Sequence, residues 1–178
     1  MSNEDLGKRF IRGGEEELEE LIKIYGEKLL RYATAILCDY HEAENVVQEV
    51  FISAYQSRGS FNGKNISAWL YRITYNSCLN KLKKPKLLYF PEIRSEEIVA
   101  EKDTGLSEEA LKSLGKLKAK DRALIYGRVM EDLSYRELSN LMGKSQAALR
   151  KQYERSKKKL ARLLTIEYNR RETNHEKT

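Results

Sequence analysis

SYRELSNLMGKSQAALRKQYERSKKKLARLL, Ser134 to Leu164, reads as two helices separated by a turn. Ser134 and Glu137 stand in capping-box register and open a short helix that places Leu138, Leu141 and Met142 on one face. Gly143 breaks that helix, and Ser145 can cap a longer one with Leu149, Tyr153, Leu160, Leu163 and Leu164 turned inward. From Lys144 to Arg171 there are ten basic and two acidic residues, a net +8. A short helix, a Gly-containing turn and a long basic helix form the helix-turn-helix pattern of duplex readers. The N-terminal part of such a second helix enters the major groove, which selects Arg150 and Lys151 for base edges, with Ser145 at its start. Arg155, Lys157, Lys158 and Lys159 suit phosphates or a solvated face.

Upstream the pattern stays helical. Two more segments, Ser107 to Leu117 and Asp121 to Glu131, carry Ala110, Leu111 and Leu114, then Leu124, Ile125, Val129 and Met130. Before them, Pro85 to Gly105 is a break with both prolines of the chain, mixed charges and one apolar cluster, Leu87 to Phe90. Glu15 to Leu37 repeats Leu18, Leu21, Ile22, Tyr25, Leu29, Tyr32, Ala33, Ile36 and Leu37 at helical period. Asp39 caps a second helix, with Glu42 in capping-box position and Ala43, Val46, Val47, Val50, Phe51, Ala54 and Tyr55 apolar. Arg58 to Asn65 is a loop, and a third helix runs from Ser67 to Lys84, where Pro85 ends it.

The 178 residues include 34% charged ones and a formal net charge of +6, unevenly spread. Met1 to Glu20 is net −4, Asp39 to Glu49 has four acids and no Lys or Arg, and Arg58 to Lys86 has seven Lys/Arg and no acid. Such basic blocks attract phosphate and release counterions. No apolar run is long enough to span a bilayer, and the N-terminal residues do not read as a signal peptide, so no membrane insertion and a cytoplasmic location are expected. Two isolated cysteines, Cys38 and Cys78, and two histidines make neither a zinc site nor a disulfide framework. No catalytic triad or phosphate loop is present, so no catalytic residue, metal or cofactor is expected.

The Arg58–Lys86 block interleaves Phe61, Trp69, Tyr71 and Tyr75 with Lys64, Arg72, Lys81, Lys83 and Lys84, a composition suited to unpaired bases. Arg72, Asn76 and Asn80 form a polar stripe at i, i+4 and i+8, and Asn amides can hydrogen-bond free base edges. Trp69 shares a stripe with Ile66 and Ile73 and reads as core, as Phe61 also can. Tyr75, Arg72, Asn76 and Asn80 read as functional. A single-strand reader and a duplex reader joined by a linker of roughly 70 Å extended reach suit the opening of DNA beside a gripped duplex.

These residues resemble the extracytoplasmic-function (ECF) sigma factors of the sigma-70 family along nearly the whole chain. Glu42-Ala43-Glu44-Asn45-Val46-Val47-Gln48-Glu49-Val50-Phe51 is similar to the family's region 2.2. Ala68-Trp69-Leu70-Tyr71-Arg72-Ile73 through Asn76 resembles regions 2.3 and 2.4, and Leu133-Ser134-Tyr135-Arg136-Glu137-Leu138 resembles the start of the region 4 helix-turn-helix. The resemblance implies an all-α protein of two small helical domains, a region 2 bundle (1–84) and a region 4 helix-turn-helix (107–172), joined by a flexible linker (85–106). It implies a non-enzymatic specificity subunit of RNA polymerase whose Asn45, Gln48 and Glu49 meet the β′ clamp helices of the core, with the β subunit a further core partner. Phe61, Lys64, Arg72, Tyr75, Asn76, Asn80 and Lys83 would bind the melted minus-ten strand. Ser145, Arg150, Lys151, Arg155 and Lys157 would bind the minus-thirty-five duplex of promoter DNA. An anti-sigma factor is a further expected partner. The sequence departs from the family pattern at Asn45, where an acid is usual, at Leu117-Lys118-Ala119, where Leu-Pro-Pro is usual, and at Gln152 and Glu154 in the recognition helix.

Two other readings compete. A conventional helix-turn-helix regulator of duplex operators explains Lys144–Arg171 but leaves the aromatic-basic helix idle. A metal-dependent nuclease would use Asp39, Glu42, Glu44 and Glu49.

Overall fold

Local capping and period build helices throughout the described residues. The computed structural model describes residues 3–83 and 106–175, and among them are eight α-helices, one 3₁₀ turn and no strand. They fall into two compact units divided at Tyr89–Phe90. The expected linker lies outside the described residues, apart from Leu106.

The N-terminal unit contains α1 (Asn3–Arg12), α2 (Glu15–Leu37), α3 (Tyr40–Ser57), the 3₁₀ turn Arg58–Ser60 and α4 (Ile66–Lys83). Glu15, Glu16 and Glu17 occupy the first turn of α2, where the helix dipole favours acids. Cys38 ends α2 in the left-handed region (φ 54°), its N–H donating to Thr34 O at 2.7 Å. Asp39 then caps α3, its carboxylate accepting from Glu42 N at 3.0 Å. The reciprocal half of the expected box is replaced, because the Glu42 carboxylate accepts from Lys81 of α4. That tight connection folds α3 back on α2, and α4 packs against both. α4 begins at Ile66, one residue before the expected start, because Asn65 Oδ1 accepts from Ala68 N at 2.9 Å.

Leu21, Leu29, Tyr32, Ile36, Val46, Val50, Ile66 and Leu70 are fully buried between these three helices. Tyr32 meets Tyr71 edge-on at 5.1 Å. The two buried threonines, Thr34 and Thr74, donate to carbonyls one turn back, Leu30 O and Leu70 O. Ile22 is a correction: expected on the apolar face of α2, it is 44% exposed. α1 was not expected from the sequence, yet its Phe10 and Leu6 are buried.

The C-terminal unit holds α5 (Glu108–Gly115), α6 (Ala119–Val129), α7 (Tyr135–Met142) and α8 (Gln146–His175). Leu114, Leu117 and Ile125 form one cluster, covered by Leu106, Tyr153, Leu160 and Leu163. Leu124, Leu138 and Leu149 form a second, covered by Leu133, Tyr135, Met142 and Tyr153. The helix junctions from Ser134 onward follow the expected caps. Ser134 and Glu137 complete the reciprocal box, and Ser107, not expected as a cap, accepts from Ala110 N. Gly143 takes a left-handed φ of 66°, and Ser145 accepts from Ala148 N at 3.2 Å. Lys118 and Ala119, at the usual Pro-Pro site, still start α6, with Lys118 at φ −69° and ψ 145°. Arg122, 8% exposed, donates to Leu117 O at 2.8 Å and so holds the turn between α5 and α6.

Candidate nucleic-acid interface

On α4 the core takes Ile66, Leu70, Tyr71, Thr74, Tyr75 and Cys78, and the period of 3.6 turns Arg72, Asn76, Asn80 and Lys83 outward. These four form one exposed line about 16 Å long at 1.5 Å per residue. Lys64 is exposed in the preceding loop, where Asn62 Oδ1 accepts its N–H at 3.1 Å. Since the sequence from Arg58 to Lys86 has no acid, nothing local repels a phosphate.

Two expected site residues are not on that line. Tyr75 is 4% exposed, and burial pushes its phenol pKa up. Phe61 is 6% exposed and stacks on Trp69 with centroids 4.8 Å apart and planes at 27°. In this conformation neither ring is free to stack on a base. Trp69 is half-buried in the same cluster, with Phe10 tilted against it at 6.4 Å. Lys81, counted in the basic block, donates to Glu42 Oε2 at 2.6 Å. That hydrogen bond raises its pKa, and the charges of Glu42, Glu49 and Asp39 act the same way. It therefore joins α4 to the acidic helix instead of adding to the basic line.

The acidic helix α3 buries Ala43, Val46, Val47, Val50, Phe51 and Ala54. Asn45, Gln48 and Glu49 are exposed together on its opposite side. Ile52, 58% exposed one turn further, belongs to the same face and was missed by the sequence reading. The signal was available: position 52 is i+7 from Asn45, off the buried stripe. Among the described residues no group of three metal-ligating side chains forms.

In the C-terminal unit Ser145, just before α8, and Arg150, Lys151, Arg155 and Lys157 on it are all exposed. Ser145 is used as the helix cap. The Arg150 guanidinium lies 5.0 Å from the Tyr135 ring centroid, and that of Arg128 lies 5.3 Å from it. Tyr135 was not singled out from sequence, because only the folding of α7 against α8 brings it to Arg150. Lys157 sits over the Tyr153 ring at 5.9 Å. Gln152, a departure from the family pattern, faces inward. It is 9% exposed, accepts from Lys144 Nζ at 2.7 Å and donates to Asp121 Oδ1 at 2.7 Å. Glu154 is exposed, with Arg150, Lys151 and Arg155 on the outer side.

The chain matches the family model of Sigma-70 region 2 over residues 21–86 and that of Sigma-70, region 4 over residues 107–160. It is 30% identical over 155 residues to the ECF RNA polymerase sigma factor SigW of Bacillus subtilis, covering 76% of this chain and 82% of that protein. This chain belongs to the ECF sigma factors of the sigma-70 family. SigM of Mycobacterium tuberculosis, also an ECF RNA polymerase sigma factor, is 26% identical over 168 residues, 92% of this chain and 85% of that one.

Two solved structures share the fold. CnrH, in complex with the cytosolic domain of CnrY, aligns at TM-score 0.70 and 20% identity over 92% of this chain and 97% of that one. RpoE of Bartonella quintana, in complex with the anti-sigma factor NepR, aligns at 0.64 and 22% over 83% and 96%. The sigma factor directs RNA polymerase to promoters. The region 2 match covers α2 from Leu21 onward, α3 and α4, and the region 4 match covers α5 to α7 and the first half of α8. α1 and the second half of α8 lie outside both matches. No helix among the described residues is long and apolar enough to cross a membrane.

Proposed function

We propose that this sigma factor divides promoter recognition between its two units and itself makes or breaks no bond. Residues 1–84 act as the core-docking and strand-binding domain, 107–172 as the duplex-binding domain, and 85–106 as the linker. The face Asn45, Gln48, Glu49 docks on the β′ clamp helices of the polymerase core. Lys64, Arg72, Asn76, Asn80 and Lys83 hold the melted minus-ten strand, and Phe61 and Tyr75 support that surface from beneath. Arg150 and Lys151 read the minus-thirty-five groove, Arg155 and Lys157 hold phosphates, and Ser145 starts the helix. The protein works in the cytoplasm, and an anti-sigma factor restrains it, as NepR binding to the Bartonella relative supports.

The exposed, acid-free line Arg72–Asn76–Asn80–Lys83 is the observation that carries this reading. An operator-binding regulator has no use for it, whereas unpaired bases beside a basic track do. The test is run-off transcription with purified core enzyme, followed by sequencing of transcript 5′ ends on genomic DNA. Defined start sites that vanish without the protein are expected. Asn80→Ala should impair open-complex formation, with only part restored by a pre-melted template. Arg150→Ala should weaken duplex recruitment instead, by about 1–3 kcal/mol if its base contact is bidentate. Equal losses by both variants on a minus-thirty-five duplex alone would refute the division.

A further inference from the structure

Gly7 is an interior residue of α1, a position where Ala is ordinarily the better helix former. The fold gives a reason for the glycine. A methyl group built there would lie 3.0 Å from Phe61 Cε1 and 3.2 Å from the carbonyl oxygen of Gly63. α1 therefore rests its backbone directly on the loop that carries Lys64. Phe10, fully buried one turn later, tilts against Trp69, the ring on which Phe61 stacks. Gly63 holds a left-handed φ of 76°, and a methyl built on it would lie 3.2 Å from Ile11 Cδ1. Three residues of α1, at positions 7, 10 and 11, thus bear on residues 61, 63 and 69. An ion pair between Arg9 and Glu20 fastens α1 to α2.

From this geometry we infer that α1 is a positioning element for the strand-binding loop, with Gly7 and Phe10 as its working residues. It lies outside the matched region 2, and it acts through Phe61 and Gly63, touching no DNA itself. Phe61 and Trp69 form the seat of the loop, α1 closes that seat, and Trp69, seven residues before Asn76, stands on the same face of α4 as the exposed line. The inference rests on the strand-binding reading of Lys64 and α4 given above. Its physical basis is close packing: a methyl at Gly7 fits only if the Phe61 ring or the Gly63 carbonyl gives way by a few tenths of an ångström, and interiors transmit such a displacement.

The chain has a single tryptophan, so Trp69 emission reports the seat directly. Gly7→Ala should shift that emission and lower the affinity of the polymerase holoenzyme for a single-stranded minus-ten oligonucleotide about tenfold. Core affinity and binding of a minus-thirty-five duplex should stay unchanged. Phe10→Leu, which keeps an apolar filler but drops the ring contact, should act the same way more weakly. The variant Gly7→Ala/Phe61→Leu should recover most of the strand affinity, because it removes the ring atom that the methyl meets. Unchanged emission and unchanged strand affinity in Gly7→Ala overturn the inference. So does a parallel loss of core and strand binding with a lowered melting temperature, which marks α1 as merely structural. Lys64→Ala and Asn80→Ala are measured alongside. If emission shifts in Gly7→Ala while all three variants keep full strand affinity, the strand assignment itself falls and the coupling falls with it.

Discussion

Replacing Gln152 by Ala removes an amide that joins three parts of the C-terminal unit. Its oxygen accepts from Lys144, in the turn before α8, and its nitrogen donates to Asp121, in the first turn of α6, each at 2.7 Å. Hydrogen bonds to charged groups contribute about 1.5–3 kcal/mol when shielded. Here the ammonium and the carboxylate stay partly solvated, so each bond is worth about 1 kcal/mol, and the pair about 2 kcal/mol. For a unit of this size that is a drop of roughly 10 °C in melting temperature. The assay is thermal unfolding of the whole chain by far-UV circular dichroism, paired with binding to minus-thirty-five duplexes carrying each base pair in turn. Gln152→Ala should lower stability and weaken all duplexes alike. Glu154→Ala, two residues away on the exposed side, should leave stability within about 0.5 kcal/mol. A Gln152→Ala variant that melts like the parent but changes its preference at one base pair would refute the inward placement of this side chain.

Other outcomes follow from local geometry. Gly143→Ala puts a Cβ at a φ of 66° in otherwise open space, so only backbone strain acts, and denaturant unfolding should show a loss of about 1–2 kcal/mol. Ala119→Pro should stabilise by about 0.4–1 kcal/mol, because Ala119 is the first residue of α6 and Lys118 already has the ψ of 145° that a following proline demands; a fall in melting temperature would contradict this. Burial pushes the Cys78 thiol up to about 12. The unfolded thiol loses its proton first, so the stability that Cys78 contributes is present below about pH 8.5 and falls as pH rises above it. Burial of the Tyr75 phenol acts with the same sign above pH 10. In the folded chain a thiol reagent should modify Cys38, which is exposed, and spare Cys78; two fast equivalents would contradict the burial. Lys81 follows its own sign rule: its raised pKa means that the Glu42 bridge is fully present below the ordinary lysine pKa and is lost as pH climbs past the folded value. Lys81→Met should therefore flatten part of the alkaline decline.

Elements whose cause lies within four residues were legible before folding. The period of Leu21, Tyr25, Leu29 and Tyr32 drew α2 to its observed ends, and Asp39, Ser134, Gly143 and Ser145 marked helix boundaries by hydrogen bonds to their own neighbours. The outward line of Arg72, Asn76 and Asn80 was legible for the same reason, since a helix alone sets which residues share a face. What the sequence left open depends on residues far apart. α1 has only Leu6, Phe10 and Ile11 to show an apolar face, too few for its period to stand out, and its partners, Phe61, Gly63 and Trp69, come some fifty residues later. Whether an aromatic ring in a basic stretch meets DNA or core cannot be read from spacing, and folding α1 over the loop turned Phe61 inward. Tyr75 went to the core because the α2–α3 hairpin covers that side of α4. Gln152 stood out in the sequence only as a departure from the family pattern, and its inward placement depends on Asp121, thirty-one residues earlier, which captures it. Period and capping are short-range and survive in the unfolded order of residues; side-chain exposure is a property of the packed surface and exists only after distant helices have met.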